Sequence, residues 1–455
     1  MKKLLSIICS TIILLTACKK SDPPLVDNTV AFQADKQGFS AEDATSEIKL
    51  NLSRSSDAAV PLKISLQTNG LTYGTEFTTE PAANNGSIEL LIPAGSSSAS
   101  IKVIKAANIL LSGTESIEFK IASASSPIIV GSTSQLQLSF SSIVSTGAQL
   151  TLEGGSGGSS AVNTVYVDLS ANKQTSVARD SWDLGFASGT AYRVILNNSL
   201  AASVLPTSKT DINTVTVADV DASKLVLGFG QGTFDIIDDV NGDLSKTAIA
   251  EISANDADNK VYVLNRAGGA GSVLPAAELM KIRILRNGSN GYTLQYAKLN
   301  ETTFKTLTIA KDDQHNFRYI SFAKGAVEVE PAKANWDIQW GYSIYYTGNI
   351  PYAFSDLVFS NHLAGTEVAE VLTSTVGYDA YGESHVASTT FSNSRNTISS
   401  NWRVTSGGSV GVKTDRFYVL KDAAGNVYKL KFISFGPDGG TRGYPVLSYA
   451  LVKKA

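Results

Sequence analysis

The sequence contains few of the side chains that bind metal ions or form covalent crosslinks. Its 455 residues include two cysteines, two methionines and three histidines. Structural zinc sites, iron–sulfur clusters and disulfide-stabilised scaffolds each use several such residues. The composition therefore argues against all three classes, and we expect no bound metal ion.

Charged residues are also scarce and almost balanced in sign. Lys and Arg number 38 and Asp and Glu 41, which gives a formal net charge of −3. A nucleic-acid-binding protein needs a basic surface that displaces counterions, and no stretch of this chain supplies one. The hydrophobic fraction of 43% is that of a globular protein, and the length suffices for about three domains.

The first eighteen residues have the pattern of an export signal. Lys2 and Lys3 precede an apolar run over 4–15 that is too short to span a membrane. Leu15-Thr16-Ala17-Cys18 resembles the bacterial lipobox, which predicts cleavage before Cys18 and a lipid on its sulfur. The alternative is an ordinary signal peptide with an incidental cysteine. Residues 19–26 have the composition of a polar tether, and the lipid is the predicted membrane anchor.

Strand patterns dominate the rest of the chain. Apolar and polar residues alternate over 48–52, 100–104 and 429–433, as in half-buried strands. Helical periodicity is scarce, although 275–285 can hold one short helical turn. The Gly/Ser-rich residues 154–160 indicate a flexible linker or a long hairpin tip. The sequence predicts an all-β protein of several domains, with a boundary near residue 147.

An internal repeat follows that boundary. Trp182-Asp183-Leu184 recurs as Trp336-Asp337-Ile338, and four further segments recur in the same order. Those segments pair 210–212 with 366–368, 260–264 with 416–420, 281–284 with 429–432, and 294–297 with 447–450. We therefore predict two copies of one unit, at 147–302 and 303–455. Each copy is expected to have its own β core, with Trp182 and Trp336 as equivalent core aromatics.

The segment 27–146 is predicted to be a separate β-sandwich. Residues 73–77, 92–95 and 115–119 resemble the Calx-β type of domain. That resemblance implies that acidic loop residues can bind calcium. The acidic candidates are Glu42, Asp43, Glu76 and Glu115. Because they form no dense Asp cluster, a spacer domain with solvated carboxylates is the alternative.

The sequence contains partial matches to catalytic and calcium-binding motifs, but the residues around each match do not fit the corresponding function. Gly-x-Ser-x-Gly occurs at 154–158 and 407–411, but predicted strands follow both, where a nucleophile elbow needs a helix. The acidic loop 238–243 resembles a calcium loop, yet its twelfth position is Ala248, where a bidentate Glu is required. We predict that the protein is not an enzyme and has no catalytic residues.

All three histidines lie in the second copy, and many aromatic residues accompany them. His315 precedes a predicted strand, whereas His362 and His385 lie in polar stretches. Each is either a solvent-facing loop residue or an axial ligand, since neutral imidazole is a common metal ligand. The candidate pocket aromatics are Tyr342, Tyr345, Tyr346, Tyr352, Tyr378 and Tyr381. They are either core and surface residues or the walls of a site for a flat apolar ligand.

Four segments of the second copy resemble the HmuY family of haem-binding lipoproteins of Bacteroidetes. They are 319–325, 335–337, 415–420 and 422–432. The resemblance implies a right-hand-like all-β fold in which two loops clasp haem between axial His or Met side chains. It also implies a lipoprotein on the cell surface, anchored in the outer membrane, that hands haem to an outer-membrane transporter.

The ligand residues match the family less well than the fold segments do. The first ligand loop maps onto 378–385, which makes His385 the best axial candidate and His362 the second. The second ligand of the family follows the residue equivalent to Trp402, where this chain has 403–408 without His or Met. Two functions therefore stay open: haem binding or acquisition in the second copy, or a non-catalytic adhesion or scaffold lipoprotein that keeps the fold without haem.

Overall fold

The computed structural model describes residues 26–41, 43–266, 269–407, 409–436 and 442–455. The predicted signal peptide, Cys18, Glu42 and residues 19–25 of the tether lie outside these ranges. The chain divides into two compact units, Met1–Ile143 and Val144–Ala455. The division falls three residues before the predicted boundary after residue 146.

The first unit consists of ten strands in two five-stranded sheets. The strands are β1 Thr29–Phe32, β2 Lys36–Phe39, β3 Thr45–Leu52, β4 Val60–Asn69, β5 Phe77–Glu80, β6 Ser87–Ile92, β7 Ser98–Lys105, β8 Ser116–Ala124, β9 Ile129–Val130 and β10 Gln135–Phe140. The sheet orders are β5-β7-β3-β1-β9 and β2-β10-β8-β4-β6. Alternation along the strands explains this arrangement: β3 buries Ile48 and Leu50 while Lys49 faces solvent. Buried side chains of both sheets form one core, as predicted for a β-sandwich.

The second unit has twenty strands, one short α-helix and ten 3₁₀ turns among its described residues. The strands are β11 Gly147–Thr151, β12 Asn163–Asp168, β13 Lys173–Ala178, β14 Leu184–Ala187, β15 Val194–Leu196, β16 Ser203–Pro206, β17 Val261–Asn265, β18 Met280–Arg286, β19 Gly291–Lys298, β20 Lys305–Ala310, β21 Phe317–Ser321, β22 Gly325–Val327, β23 Ile338–Thr347, β24 Ile350–Ser360, β25 Glu367–Leu372, β26 Arg403–Val404, β27 Gly411–Val412, β28 Arg416–Lys421, β29 Val427–Ser434 and β30 Val446–Lys453. The helix is α1 Glu383–Val386, and the 3₁₀ turns are Gly158–Ser160, Arg179–Ser181, Asn198–Leu200, Ile212–Thr214, Val217–Asp219, Ala222–Leu225, Phe234–Ile236, Leu244–Lys246, Asp256–Asp258 and His362–Ala364. No helix within the described ranges is long and apolar enough to cross a membrane.

These strands form four large sheets and one two-stranded ribbon. The orders are β11-β30-β29-β28-β25, β16-β17-β18-β19-β20, β13-β12-β23-β24, β15-β14-β21-β22 and β26-β27. The all-β prediction is confirmed. The helical turn predicted over 275–285 is wrong: Glu278 N donates to Pro275 O in a single turn, and β18 begins at Met280.

The Gly/Ser-rich residues 154–160 are part of the packed second unit, so their interpretation as a flexible linker is wrong. Gly154 lies against the indole of Trp340 and the carbonyl oxygen of Gly443, and a β-carbon at residue 154 would overlap both. Glycine is needed here for close approach rather than for flexibility.

Each of the four large sheets joins strands of the two predicted copies. β12 of the first copy pairs with β23 of the second, and β21 of the second pairs with β14 of the first. At the outer edges, β11 pairs with β30 and β20 pairs with β19 in the same crossed manner. One hydrophobic core accordingly combines Leu152 and Val165 with Trp340 and Tyr418. The cores are shared between the copies, contrary to the expectation of one core each.

Equivalent hydrogen bonds hold the crossed strands at corresponding places. Asp183 Oδ2 accepts from Phe322 N at 2.7 Å, and Asp337 Oδ2 accepts from Leu169 N at 2.8 Å. Each bond joins the Asp after a repeated Trp to the strand end of the other copy. The two Trp-Asp segments therefore lie where strands of the two predicted copies cross, while the duplication and its boundary between residues 302 and 303 stay predictions.

Two buried asparagines repeat the same pattern. Asn197 Nδ2 donates to the carbonyl oxygens of Arg179 and Trp182, each at 2.8 Å. Asn361 Nδ2 donates to those of Lys333 and Trp336, each at 2.9 Å. In each copy the asparagine thus holds the loop that carries the repeated Trp against the end of the following hairpin.

Candidate functional site

A cavity lies between the two four-stranded sheets, beside the repeated tryptophans. Trp336 packs edge-on against Tyr166 with ring centroids 5.1 Å apart, and Trp182 packs edge-on against Tyr319 at 4.8 Å. All four rings line this central cavity, whose volume is about 130 Å³. Each ring pair joins one strand of one copy to the Trp loop of the other, so the crossing of strands builds the cavity walls.

Buried charged groups also line the central cavity. Glu330 accepts from Phe317 N at 2.7 Å, and burial raises the pKa of its carboxyl to about 8. Asp238 accepts from Leu196 N and Ala248 N, and burial raises its pKa to about 7. Both groups can therefore hold a proton near neutral pH. Glu330 was marked by no sequence motif, and the acidic loop 238–243 gave no sign that Asp238 is buried, because burial results from long-range packing.

Arg395 is a half-buried cation in the lining of this cavity. Its guanidinium carbon lies 4.1 Å from the centre of the Phe359 ring. Burial lowers its pKa to about 10, although Asp239 and Asp238 act in the opposite direction.

His362 lies on the wall of the central cavity, but its ring is engaged by backbone. Nε2 lies 3.2 Å from Gly242 O, a distance at which this nitrogen carries the hydrogen. Burial and the neighbouring Arg395 lower the pKa of His362, so the ring is held in its neutral form. This geometry leaves Nε2 no lone pair for a metal centre.

His385 lies in a different place, a cavity of about 450 Å³ that we call the side cavity. The residue belongs to α1, and its imidazole stacks on Tyr381 with ring centroids 5.2 Å apart and an interplanar angle of 26°. The Tyr381 hydroxyl is engaged with Thr389 Oγ1 at 2.5 Å. The remaining lining is mixed: Ala369, Val371, Leu372 and Val376 are apolar, whereas Glu370, Thr375, Ser388, Thr389 and Thr390 are polar.

The two ring nitrogens of His385 differ in their surroundings. Gly382 N donates to Nδ1 at 3.1 Å when Nδ1 is unprotonated, and Nδ1 also lies 3.3 Å from Gly382 O. Nε2 has no hydrogen-bond partner in the described part of the chain. In the tautomer with its proton on Nδ1, that proton bonds Gly382 O and the Nε2 lone pair is free, as in metal-binding histidines. His315 differs, because its Nδ1 lies 3.1 Å from both carboxylate oxygens of Asp312.

The predicted aromatic residues divide between two regions. Tyr381 lines the side cavity, and Tyr378 packs edge-on against Phe417 in the same small core. The other four lie on the hairpin of β23 and β24. There Tyr345 is buried and Tyr342 half-buried, whereas Tyr346 and Tyr352 are 42% and 36% exposed. These four line neither cavity within the described residues.

The segment after Trp402, where the family has its second ligand, has a structural role in this chain. Trp402 Nε1 donates to Asp356 O at 2.9 Å, and an Arg403 nitrogen donates to Ser355 O. Asp356 also forms a buried ion pair with Arg442. Arg403 is thus committed to the backbone of β24. Across the described ranges, no group of three or more His, Cys, Asp or Glu is placed to hold a metal ion.

Comparison with known proteins gives one match of high coverage. The family model described as HmuY protein matches residues 160–449, more than half of the chain. No curated protein matches.

Solved structures resemble the chain only distantly. The apo-form Calx CBD1 domain is 10% identical and covers 25% of this chain and 96% of its own, with a TM-score of 0.22. A putative carbohydrate-binding protein from Bacteroides ovatus is 11% identical and covers 73% and 80%, with a TM-score of 0.20. A two-domain protein of unknown function from Bacteroides fragilis is 9% identical and covers 72% and 92%, with a TM-score of 0.19. Scores at this level carry no argument about fold or function.

Proposed function

Because the chain belongs to the HmuY family, we propose that it is a lipid-anchored surface protein of the outer membrane that binds haem and passes it to an outer-membrane transporter. The single observation that supports this is the free Nε2 of His385 in the side cavity. The Nε2 of His362 is bonded to Gly242 O, and His315, whose Nδ1 lies beside the Asp312 carboxylate, lines neither cavity.

The residues of the side cavity fit a haem held through one axial imidazole. His385 would supply the nitrogen, the Tyr381 ring stacks on the imidazole and fixes its orientation, and Ala369, Val371, Leu372 and Val376 provide the apolar part of the lining. A second axial ligand does not fit, because Arg403 occupies the corresponding segment and bonds Ser355 O. Within this site His385 would be the one side chain to hold the iron, and release to a receiving protein would then require the loss of a single protein ligand.

The haem site is tested by titrating the mature protein with haemin and recording the Soret band. His385→Ala should abolish the shifted Soret band or weaken binding at least about tenfold, because the imidazole that lines the side cavity is lost. His315→Ala and His362→Ala are matched controls that should bind as the unmodified protein does. Equal binding by His385→Ala would refute the site. A mature chain that binds no haem would favour the adhesion or scaffold function.

The lipid anchor is tested separately by fractionating cells that express Cys18→Ala. Without the sulfur that carries the lipid, the protein should leave the membrane fraction after a high-salt wash, whereas the unmodified protein stays there. A variant that remains with the membranes would show that something other than a lipid on Cys18 holds the chain.

A further inference from the structure

Arg395 has an unusual environment for a charged side chain. None of its five N–H donors forms a hydrogen bond or ion pair with any described residue, and Nε is fully covered. The guanidinium stacks on Phe359, and its stem passes so close to Gly242 that a β-carbon there would overlap it. The chain therefore makes room for this side chain without providing a partner for its donors.

The acidic groups around Arg395 are already engaged elsewhere. Asp238 is bonded to two backbone N–H groups, and Glu330 to Phe317 N. Asp239 accepts from the backbone nitrogens of Asn241 and Asp243. Each carboxylate oxygen has a second lone pair that can still accept a hydrogen bond. The central cavity therefore offers unused donors on Arg395 and unused acceptor positions on the surrounding acids.

We propose that the central cavity binds a neutral polyhydroxylated molecule about the size of one sugar ring, with its hydroxyl oxygens on Arg395. A hydroxyl group can accept from the guanidinium and donate to Glu330 or Asp239 at the same time. An anion would be opposed by the carboxylate of Asp243, whose pKa is lowered to about 2 by hydrogen bonds from Ser245 and Lys246, and an ammonium ion cannot accept from Arg395.

Size and wall chemistry agree with this ligand class. A water needs about 10–15 Å³ of cavity volume, so about 130 Å³ has room for a cluster of waters and hence for a small ring-shaped ligand. The rings of Trp182 and Trp336 provide apolar faces for the C–H groups of such a ring. No residue lines both cavities, so this inference is independent of haem binding at His385.

The test titrates the full mature protein with D-glucose, D-galactose and D-mannose, and with D-glucuronate and D-glucosamine as charged analogues. Tryptophan fluorescence is the readout, because Trp182 and Trp336 line the cavity. At least one neutral hexose should give a saturable change and raise the unfolding temperature. Binding of a charged analogue alone, or no change with any neutral hexose up to about 50 mM, would overturn the proposal.

Arg395→Met is the decisive variant. It keeps the apolar stem over Phe359 but removes the donors, so hexose binding should weaken at least about tenfold. Because the lost charge has no bonded partner, the unfolding temperature should stay equal or rise. Arg286→Met is the matched control, since the Arg286 guanidinium also lies 4.1 Å from a ring centre, that of Tyr192, and does not line the cavity. Unchanged hexose binding by Arg395→Met would contradict the assignment of Arg395.

Discussion

Glu330 and Asp238 retain protons at pH values where exposed carboxyl groups have lost them, because burial raises their pKa to about 8 and about 7. Between the ordinary carboxyl range and these values, the folded state binds more protons than the unfolded state. The free energy of unfolding must then decrease as pH rises through this interval. The contribution of Glu330 is therefore most favourable in mild acid and is lost towards pH 8.

Glu330→Gln tests this pH dependence. The amide keeps an oxygen that can accept from Phe317 N but does not ionise, so the unfolding temperature should fall less between pH 6 and pH 8.5 than in the unmodified protein. Glu328→Gln is the control, because Glu328 is exposed two residues away and should leave the slope unchanged. A Glu330→Gln slope equal to that of the unmodified protein would show that Glu330 does not titrate in this range.

Single residues of the candidate site were only partly predictable. The resemblance singled out 378–385, and the structure places His385 and Tyr381 together in one cavity. Aromatic clustering in the sequence could not distinguish these from the hairpin tyrosines, because it does not specify which face of a strand meets a cavity. Arg395 and Glu330 were missed altogether, since the segments that bury them are distant in sequence.

Among the elements, the two Trp loops depend on one asparagine each. Asn361→Ala should lower the free energy of unfolding by about 1–3 kcal/mol for each backbone carbonyl left without a donor, here those of Lys333 and Trp336. Urea unfolding monitored by circular dichroism measures this change. Asn197→Ala should lower the free energy of unfolding by a similar amount, because Asn197 donates to two backbone carbonyls in the same way, those of Arg179 and Trp182.

Asn290→Ala is the control for these variants, since Asn290 is exposed and should change stability by less than about 0.5 kcal/mol. An Asn361→Ala protein as stable as the control would mean that other groups or water replace the lost donor. Such a result would contradict the inference that the two asparagines hold the Trp loops in place.

The alternation of apolar and polar residues predicted several strands correctly, but it did not predict which strands pair with one another. The patterns at 48–52 and 100–104 lie within β3 and β7. Local alternation sets which side chains face the core, whereas pairing depends on contacts far apart in sequence. The repeat placed Trp182 and Trp336 at equivalent positions, yet it gave no sign that their neighbouring strands pair across the copies.

For the whole molecule, the crossed strands predict which fragments can fold. Residues 147–302 and 303–455 expressed separately should show no cooperative thermal transition, because each lacks partners for four paired strands. Mixed or coexpressed, they should recover near-ultraviolet circular dichroism and a cooperative transition. Residues 27–143 are the control and should fold alone, because their core is complete within that range. A cooperative transition in either isolated half would contradict this prediction.

The pairing of β11 with β30 also fixes when the second unit can be completed during synthesis. Gly147 pairs with Ala450, so the ribosome must add about 300 residues after the first of these strands before the second exists. At roughly 5–20 residues per second, β11 waits on the order of 15–60 seconds for its neighbour. During that time its edge is open to any other extended chain. A cell that exports this protein therefore has to keep a nearly finished chain from pairing with the wrong strand until its last residues have been made.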